Sequence, residues 1–291
     1  MKSAKYLAKH TSSQEGKRFL ITGASNGIGL EAAKALLYLG ASVTFMVRNE
    51  AKAKACIEAI SKELGRPVDA DIAIYDQASP TSIRACIASL PSKHYDAIVL
   101  NAGVYFPKTG SLGEKNNSLT LQVNATGTQA CFDAFYERYP DAKYVFTTSV
   151  ARCKAKNHDY AQYFHCGDKR RWKDYGISKQ IAVDMMALAL EKGAKAYLTH
   201  PGMCKTGIIN GFAPLMKRIG NGFMYLVSHH AWKASLGITL LCANDYEPGT
   251  YLAPRGPLEV SGYPKVKRIH GFAELDKETW KSFYEGEQGS K

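Results

Sequence analysis

Long apolar runs are missing from this 291-residue sequence. None approaches the roughly twenty residues of a membrane-crossing helix, so no transmembrane segment is expected. The opening stretch, Met1 to His10, lacks the apolar core of a secretory leader, and residues 1–15 read as a flexible or draped extension. Cysteine is sparse and unpatterned. Cys56, Cys86, Cys131, Cys153, Cys166, Cys204 and Cys242 are odd in number and widely dispersed, which points to reduced thiols in a cytoplasmic protein rather than a disulfide framework. Cys153, His158, His165 and Cys166 match no common zinc spacing, and His229-His230 reads as loop or helix start, so no metal site is expected. Acid is in short supply too: 26 Asp and Glu stand against 38 Lys and Arg, a formal charge of +12. Such a balance attracts anions. The basic residues are scattered, however, with small clusters only at Lys154 and Lys156, at Lys169-Arg170-Arg171-Trp172-Lys173, and at Lys265-Val266-Lys267-Arg268. A solvated basic face is the plain reading. It leaves peripheral contact with an anionic membrane open, while binding to nucleic acid is not expected; either would show as salt-dependent retention.

What is present is a globular composition, 45% apolar and 22% charged, with strands and helices in alternation. Arg18 to Thr22 is a short apolar run entering glycines, followed by a helical stripe of Ala32, Leu36 and Leu39 that stops at Gly40. Strands at 42–47, 68–75, 95–100, 144–149 and 195–199 alternate with helices at 50–64, 80–90, about 116–138 and from about Tyr175 onward. Ala231 to Cys242 reads as helix and Thr250-Tyr251-Leu252 as a last strand. No linker, repeat or low-complexity stretch divides the chain. The expected fold class is α/β: a single Rossmann-type doubly wound parallel sheet of about seven strands flanked by helices, over residues 16–291.

Three segments carry chemistry. Tyr175 and Lys179, in Tyr175-Gly176-Ile177-Ser178-Lys179, share one face of a helix. A phenol with an ordinary pKa of about 10 exchanges its proton more readily when a cation stabilises the phenolate, and Lys179 is placed to be that cation. Ser149 ends the apolar run from Tyr144. Thr22-Gly23-Ala24-Ser25-Asn26-Gly27-Ile28-Gly29 lies between a strand and a helix, where glycines let backbone N–H groups approach a pyrophosphate.

These motifs, in this order, resemble the short-chain dehydrogenase/reductase family from the glycine loop to Pro201-Gly202, over nearly the whole chain beyond residue 15. The Gly23-x3-Gly27-x-Gly29 spacing is similar to the reductase subfamilies rather than the epimerase branch. The resemblance implies that Gly23, Ser25, Asn26, Gly27, Ile28, Gly29, Asp76, Asn101, Ala102, Gly103, Pro201, Gly202 and Thr206 line a dinucleotide site, joined by Tyr175 and Lys179. Arg48, where an NAD site offers an acid, favours NADP(H) over NAD(H). It further implies Tyr175 as proton donor, Ser149 as holder of the carbonyl oxygen, Lys179 as modulator of the phenol, and Asn124 as keeper of a relay water in a distorted helix. Ser149 and Tyr175 are unusually far apart, so 151–173 is expected to be an enlarged basic, aromatic loop, resembling retinol-dehydrogenase-like and protochlorophyllide-reductase-like branches. The apolar segments between about 203 and 230 read as a substrate lid, an oligomer contact or plain core. By resemblance a homodimer or homotetramer pairs through helices near 116–138 and 175–192. The expected activity is NADP(H)-dependent hydride transfer to or from a carbonyl or alcohol of a lipophilic steroid-, retinoid- or polycyclic-like molecule. The alternative is a non-catalytic NADP(H)-binding sensor or scaffold.

Overall fold

Apolar runs bounded by turn residues form the sheet, and their burial shows why. In the computed structural model, which describes residues 1–91, 94–105, 117–153, 160–164, 171–203, 230–269 and 277–289, eight strands lie side by side. They are β1 (Arg18–Thr22), β2 (Ser42–Val47), β3 (Ala70–Ile74), β4 (Ala97–Leu100), β5 (Lys143–Thr147), β6 (Lys195–Thr199), β7 (Tyr251–Pro254) and β8 (Pro264–Lys267). Their order is β3-β2-β1-β4-β5-β6-β7-β8, parallel as far as β7 and antiparallel at β8. Leu20, Ile98, Tyr144, Phe146 and Leu198 face one core, and Phe19, Ile21, Val99, Val145 and Tyr197 the other. A parallel strand buried on both faces has no polar side to show, so it reads as a continuous apolar run.

The first core is covered by α4 (Pro80–Ser89), α6 (Gly127–Arg138) and α8 (Arg171–Glu191). The second lies under α2 (Gly27–Tyr38), α3 (Glu50–Leu64) and α10 (Leu236–Ala243), with the short α9 (Ala231–Ala234) leading into the last. The helix expected over 116–138 is interrupted: a brief α5 (Leu119–Leu121) passes through a π turn, Gln122–Thr126, before α6 begins.

Four features differ from the sequence reading. The N-terminal extension contains a docked helix, α1 (Ala4–His10), whose Leu7 is fully buried against Ala35 and Leu236 and whose Tyr6 stacks on Tyr263 at 4.5 Å. Seven residues are too few for periodicity to declare itself. The 265–268 basic cluster is largely strand β8, an edge that presents exposed Val266 between lysines, a composition that discourages further pairing. Within the expected loop at 151–173, residues 154–159 and 165–170 lie outside the described residues, but the middle, with α7 (Ala161–Phe164), is core: Tyr160, Tyr163 and Phe164 are buried. They meet a C-terminal helix that sequence reading missed, α11 (Lys277–Gly289). Its Trp280 is fully buried, stacks with Phe164, and donates from Nε1 to Gln129 Oε1 at 3.2 Å. Part of the α6 and α8 surface expected to pair subunits is therefore covered from within the chain. Among the described residues no helix is long and apolar enough to cross a membrane.

Candidate active site

From β1 the chain runs outward to β2 and β3, then returns to place β4 on β1's other side, so the crevice lies where β1 and β4 part. One threonine ties that crevice together. Thr22 Oγ1 donates to the Val99 carbonyl (3.1 Å) and accepts from the N–H groups of Asn101 (2.9 Å) and Ala102 (3.0 Å). Asn101 Nδ2 returns a bond to the Thr22 carbonyl at 3.0 Å. Gly23 and Gly27 adopt φ of +71° and +52°, the left-handed region that a side chain resists. A Cβ at Gly29 would stand 2.6 Å from both Asn101 Nδ2 and the Gly23 carbonyl, so the close approach of loop to loop needs glycine there. Asn26 precedes α2 and is exposed, and its side chain makes no capping bond. Ser25 and Ile28 are half-buried beside it, with Ser25's carbonyl accepting from Cys56 Sγ at 3.6 Å.

Beyond β2, Arg48 is exposed and makes no ion pair with a described residue. Asp76, beyond β3, is exposed and accepts from Ala78 N at 3.0 Å, while its own N–H donates to Ser82 Oγ at 2.9 Å. Gln77 was not singled out from the sequence, yet it joins three segments. Its Nε2 donates to the carbonyls of Ala102 (3.1 Å) and Val123 (2.9 Å) and to Thr128 Oγ1 (3.1 Å), and its Oε1 accepts from the Tyr75 hydroxyl at 2.5 Å. Nothing in a lone glutamine signals this, because its partners are distant in sequence.

The π turn presents Asn124. Its Oδ1 accepts from Val104 N (2.7 Å), and its Nδ2 donates to the Val104 carbonyl (2.9 Å) and to Ser178 Oγ (3.2 Å). It thus braces the Asn101–Val104 loop against α8. On α8, Lys179 Nζ lies 5.6 Å from the centre of the Tyr175 ring and donates to the Thr147 carbonyl at 3.2 Å. Burial pushes this ammonium down from its ordinary 10.5 to about 8. The Lys179 carbonyl in turn accepts from Thr148 Oγ1 at 2.6 Å, which fastens the end of β5 to α8. The Tyr105 ring meets the Tyr175 ring edge-on at 4.6 Å and the Trp172 ring at 5.7 Å. Burial, and then the neighbouring Tyr175, raise the Tyr105 phenol above its ordinary value, so it remains protonated.

Ser149 lies two residues past β5, half-buried, at the start of a turn in which Ala151 N donates to Ser149 Oγ (3.2 Å) and Arg152 N to the Ser149 carbonyl (3.2 Å). That turn docks on α8 one residue after Tyr175, where Cys153 N donates to the Gly176 carbonyl at 3.0 Å. Gly176 permits the docking: a Cβ there would lie 2.6 Å from the Ala151 carbonyl and from Cys153 Sγ. Gly176→Ala is accordingly expected to cost about 1–3 kcal/mol by overpacking, measurable as a lower denaturation midpoint. Pro201 and Gly202 follow β6, with Gly202 at φ +78° donating from N to His200 Nδ1 at 3.4 Å. Thr206 and the apolar segment 204–229, together with His158, His165, Cys166 and His229, lie outside the described residues.

Residues 17–164, just over half of the chain, match the family described as short chain dehydrogenase. The chain belongs to the short-chain dehydrogenase family. It is thereby an oxidoreductase of a family that binds a nicotinamide cofactor. The WW domain-containing oxidoreductase of Drosophila melanogaster is 36% identical over 101 residues, 33% of this chain and 24% of that protein. Short chain dehydrogenase atnD of Emericella nidulans is 27% identical over 288 residues, 85% of this chain and 90% of its own. The crystal structure of a single-residue variant of actinorhodin polyketide ketoreductase with NADPH shares the fold at TM-score 0.60 and 20% identity, covering 79% of this chain and 92% of that one. The geometry of this short-chain dehydrogenase suits a dinucleotide: left-handed glycines, a Cβ-free approach at Gly29, and a helix N-terminus that the Asn26 side chain leaves uncapped.

Proposed function

We propose that the chain is an NADP(H)-dependent reductase, or the reverse dehydrogenase, acting on a carbonyl or alcohol of a mostly apolar substrate, with Tyr175 as its general acid and base. The observation that carries this reading is Lys179, an ammonium held in a buried site beneath the Tyr175 ring. Burying a cation is costly unless something uses the charge, and a phenol that must become phenolate uses it.

Gly23, Ser25, Asn26, Gly27, Ile28 and Gly29 would hold the cofactor's pyrophosphate, Asp76 and the Asn101–Gly103 loop its adenosine, and Tyr175, Lys179, Pro201, Gly202 and Thr206 its nicotinamide half. When bound, NADP(H) supplies or accepts the hydride. In the reductive direction Tyr175 Oη gives its proton to the substrate oxygen while Ser149 Oγ donates a hydrogen bond to the same atom. The phenolate left behind is stabilised by Lys179. Asn124 holds the distorted turn at which a relay water would return a proton to Lys179. Oxidation runs the same proton in reverse.

Arg48 supports NADP(H), because an exposed guanidinium at the end of β2, with no ion pair among the described residues, suits a 2′-phosphate, and the position carries no acid for a ribose hydroxyl. Arg48→Asp is expected to lower kcat/KM for NADPH roughly 30-fold, about 2 kcal/mol for one charged hydrogen bond, and to raise the relative use of NADH. Equal loss with both cofactors would contradict the assignment. The Tyr105 ring beside Tyr175, with the Trp172 ring against Tyr105, supports an apolar substrate, since ligand sites are mostly apolar and aromatic. A panel of ring ketones, aliphatic aldehydes and secondary alcohols, followed by nicotinamide absorbance with each cofactor, tests the proposal. Turnover of a ring ketone with NADPH is expected. NADPH binding without turnover of any member would favour a sensor, and failure to bind either cofactor would defeat both readings.

A further inference from the structure

The hairpin joining β7 to β8 contains the two non-glycine residues with positive φ among those described, Leu258 at +49° and Glu259 at +57°. L-residues resist this conformation and keep it only where their surroundings over-determine it. Leu258 cannot be the cause, being 86% exposed. Glu259 can. Its side chain is only 13% exposed, with Oε2 accepting from the Tyr251 hydroxyl at 2.6 Å and Oε1 3.6 Å from Lys267 Nζ.

From Glu259 the contacts lead toward the candidate active site. The charge of the Arg152 guanidinium is felt at the Tyr251 hydroxyl, where it opposes the pull of Glu259 on the same phenol. Arg152 belongs to the turn of Ser149, to whose carbonyl its N–H donates. Arg152 and Glu259 also both act on His200, which is buried, kept neutral by that burial, and bonded through Nδ1 to Gly202. The residue after Glu259 closes the circuit: the Val260 carbonyl accepts from Met203 N at 2.8 Å. The turn after β5, the loop after β6 and the β7–β8 hairpin thus converge at the carboxyl ends of the strands, where this class of sheet binds its ligands.

We infer that Glu259 is a positioning residue for the site: held by the Tyr251 hydroxyl, it fixes the strained hairpin whose Val260 carbonyl sets the register of the Pro201–Met203 loop. The inference rests on the reading of Pro201 and Gly202 as part of the nicotinamide site. It separates the cause of the strained backbone from its cost, and glycine substitutions can measure each.

Leu258→Gly relaxes the backbone without touching the cluster, so its melting temperature should hold or rise and its turnover should stay unchanged. Glu259→Gly relaxes the backbone equally but removes the carboxylate. It should lose about tenfold in kcat with NADPH affinity retained, and should speed hydrogen exchange at the Met203 amide, which donates to the Val260 carbonyl. Glu259→Gln, which still accepts from Tyr251, should recover part of both. A Glu259→Gly protein that turns over normally, or whose exchange at that amide is unchanged, overturns the inference. Exchange is read without substrate, so a protein with no oxidoreductase activity but faster exchange would count against the proposed function alone.

Discussion

Tyr175→Phe is expected to reduce turnover by about a thousandfold, within the range for loss of a general acid or base, while NADPH still binds. The substitution removes one oxygen and keeps the ring, so the edge-on contact with Tyr105 at 4.6 Å and the packing over Lys179 persist. A structural tyrosine would show the opposite pattern, with intact turnover and lowered stability. Binding should be followed by nicotinamide fluorescence and turnover by absorbance on the same preparation. A variant within a few-fold of wild type would remove the phenol from the proton transfer.

Lys179→Met should lose at least a hundredfold in turnover and yet be more stable than wild type at neutral pH. The ammonium is desolvated by burial, which lowers its pKa from 10.5 to about 8. At about 1.4 kcal/mol per pKa unit, the folded protein bears about 3 kcal/mol for keeping that lysine charged. Loss of the bond to the Thr147 carbonyl offsets about 1 kcal/mol of the gain. A net stabilisation of about 2 kcal/mol should appear in denaturant titrations at pH 7. The pH dependence follows from linkage. Between about 8 and 10.5 the unfolded chain keeps the lysine proton that the folded chain releases, so wild-type stability rises with pH there. Below about 8 both states are protonated and the full cost remains. The advantage of the methionine variant is therefore constant up to about pH 8 and shrinks as pH climbs toward 10.5. An advantage that ignores pH would mean the lysine charge is not its source.

Activity and stability are in this way opposed at one residue. The hairpin of Glu259 likewise keeps left-handed backbone at a residue whose side chain is tied to Tyr251 and Lys267. Both are places where local preference is overruled by the folded surroundings, and neither declares itself in a propensity scale.

How far the sequence is legible depends on the range of the interaction. Tyr175 and Lys179 share a helix, and helical spacing alone put them on one face. Thr22 through Gly29 could be read as strand, turn and helix start because apolar run, glycines and apolar stripe are adjacent. The sheet followed from the alternation of such segments, and its six consecutive parallel pairings carry the described loops after β1, β2, β3, β4, β5 and β6 to one edge. The eighth strand and the helices at the two ends were missed, because β8 is polar on an edge and α1 is short. α11 takes its meaning from Trp280 reaching Gln129, 151 positions away.

The amino-acid order by itself determined the α/β alternation, the glycine turn, and the candidate acid with its cation, since each depends on neighbours within a few residues. Tertiary structure decided what those groups experience. Burial of Lys179, the bracing of Val104 by Asn124, the contact of the Ser149 turn with Gly176, and the joining of Gln77 to the Ala102 loop and of Val260 to Met203 all come from surfaces that meet only on folding. Desolvation and close packing act through space, and chain order carries no measure of that distance until the sheet has formed.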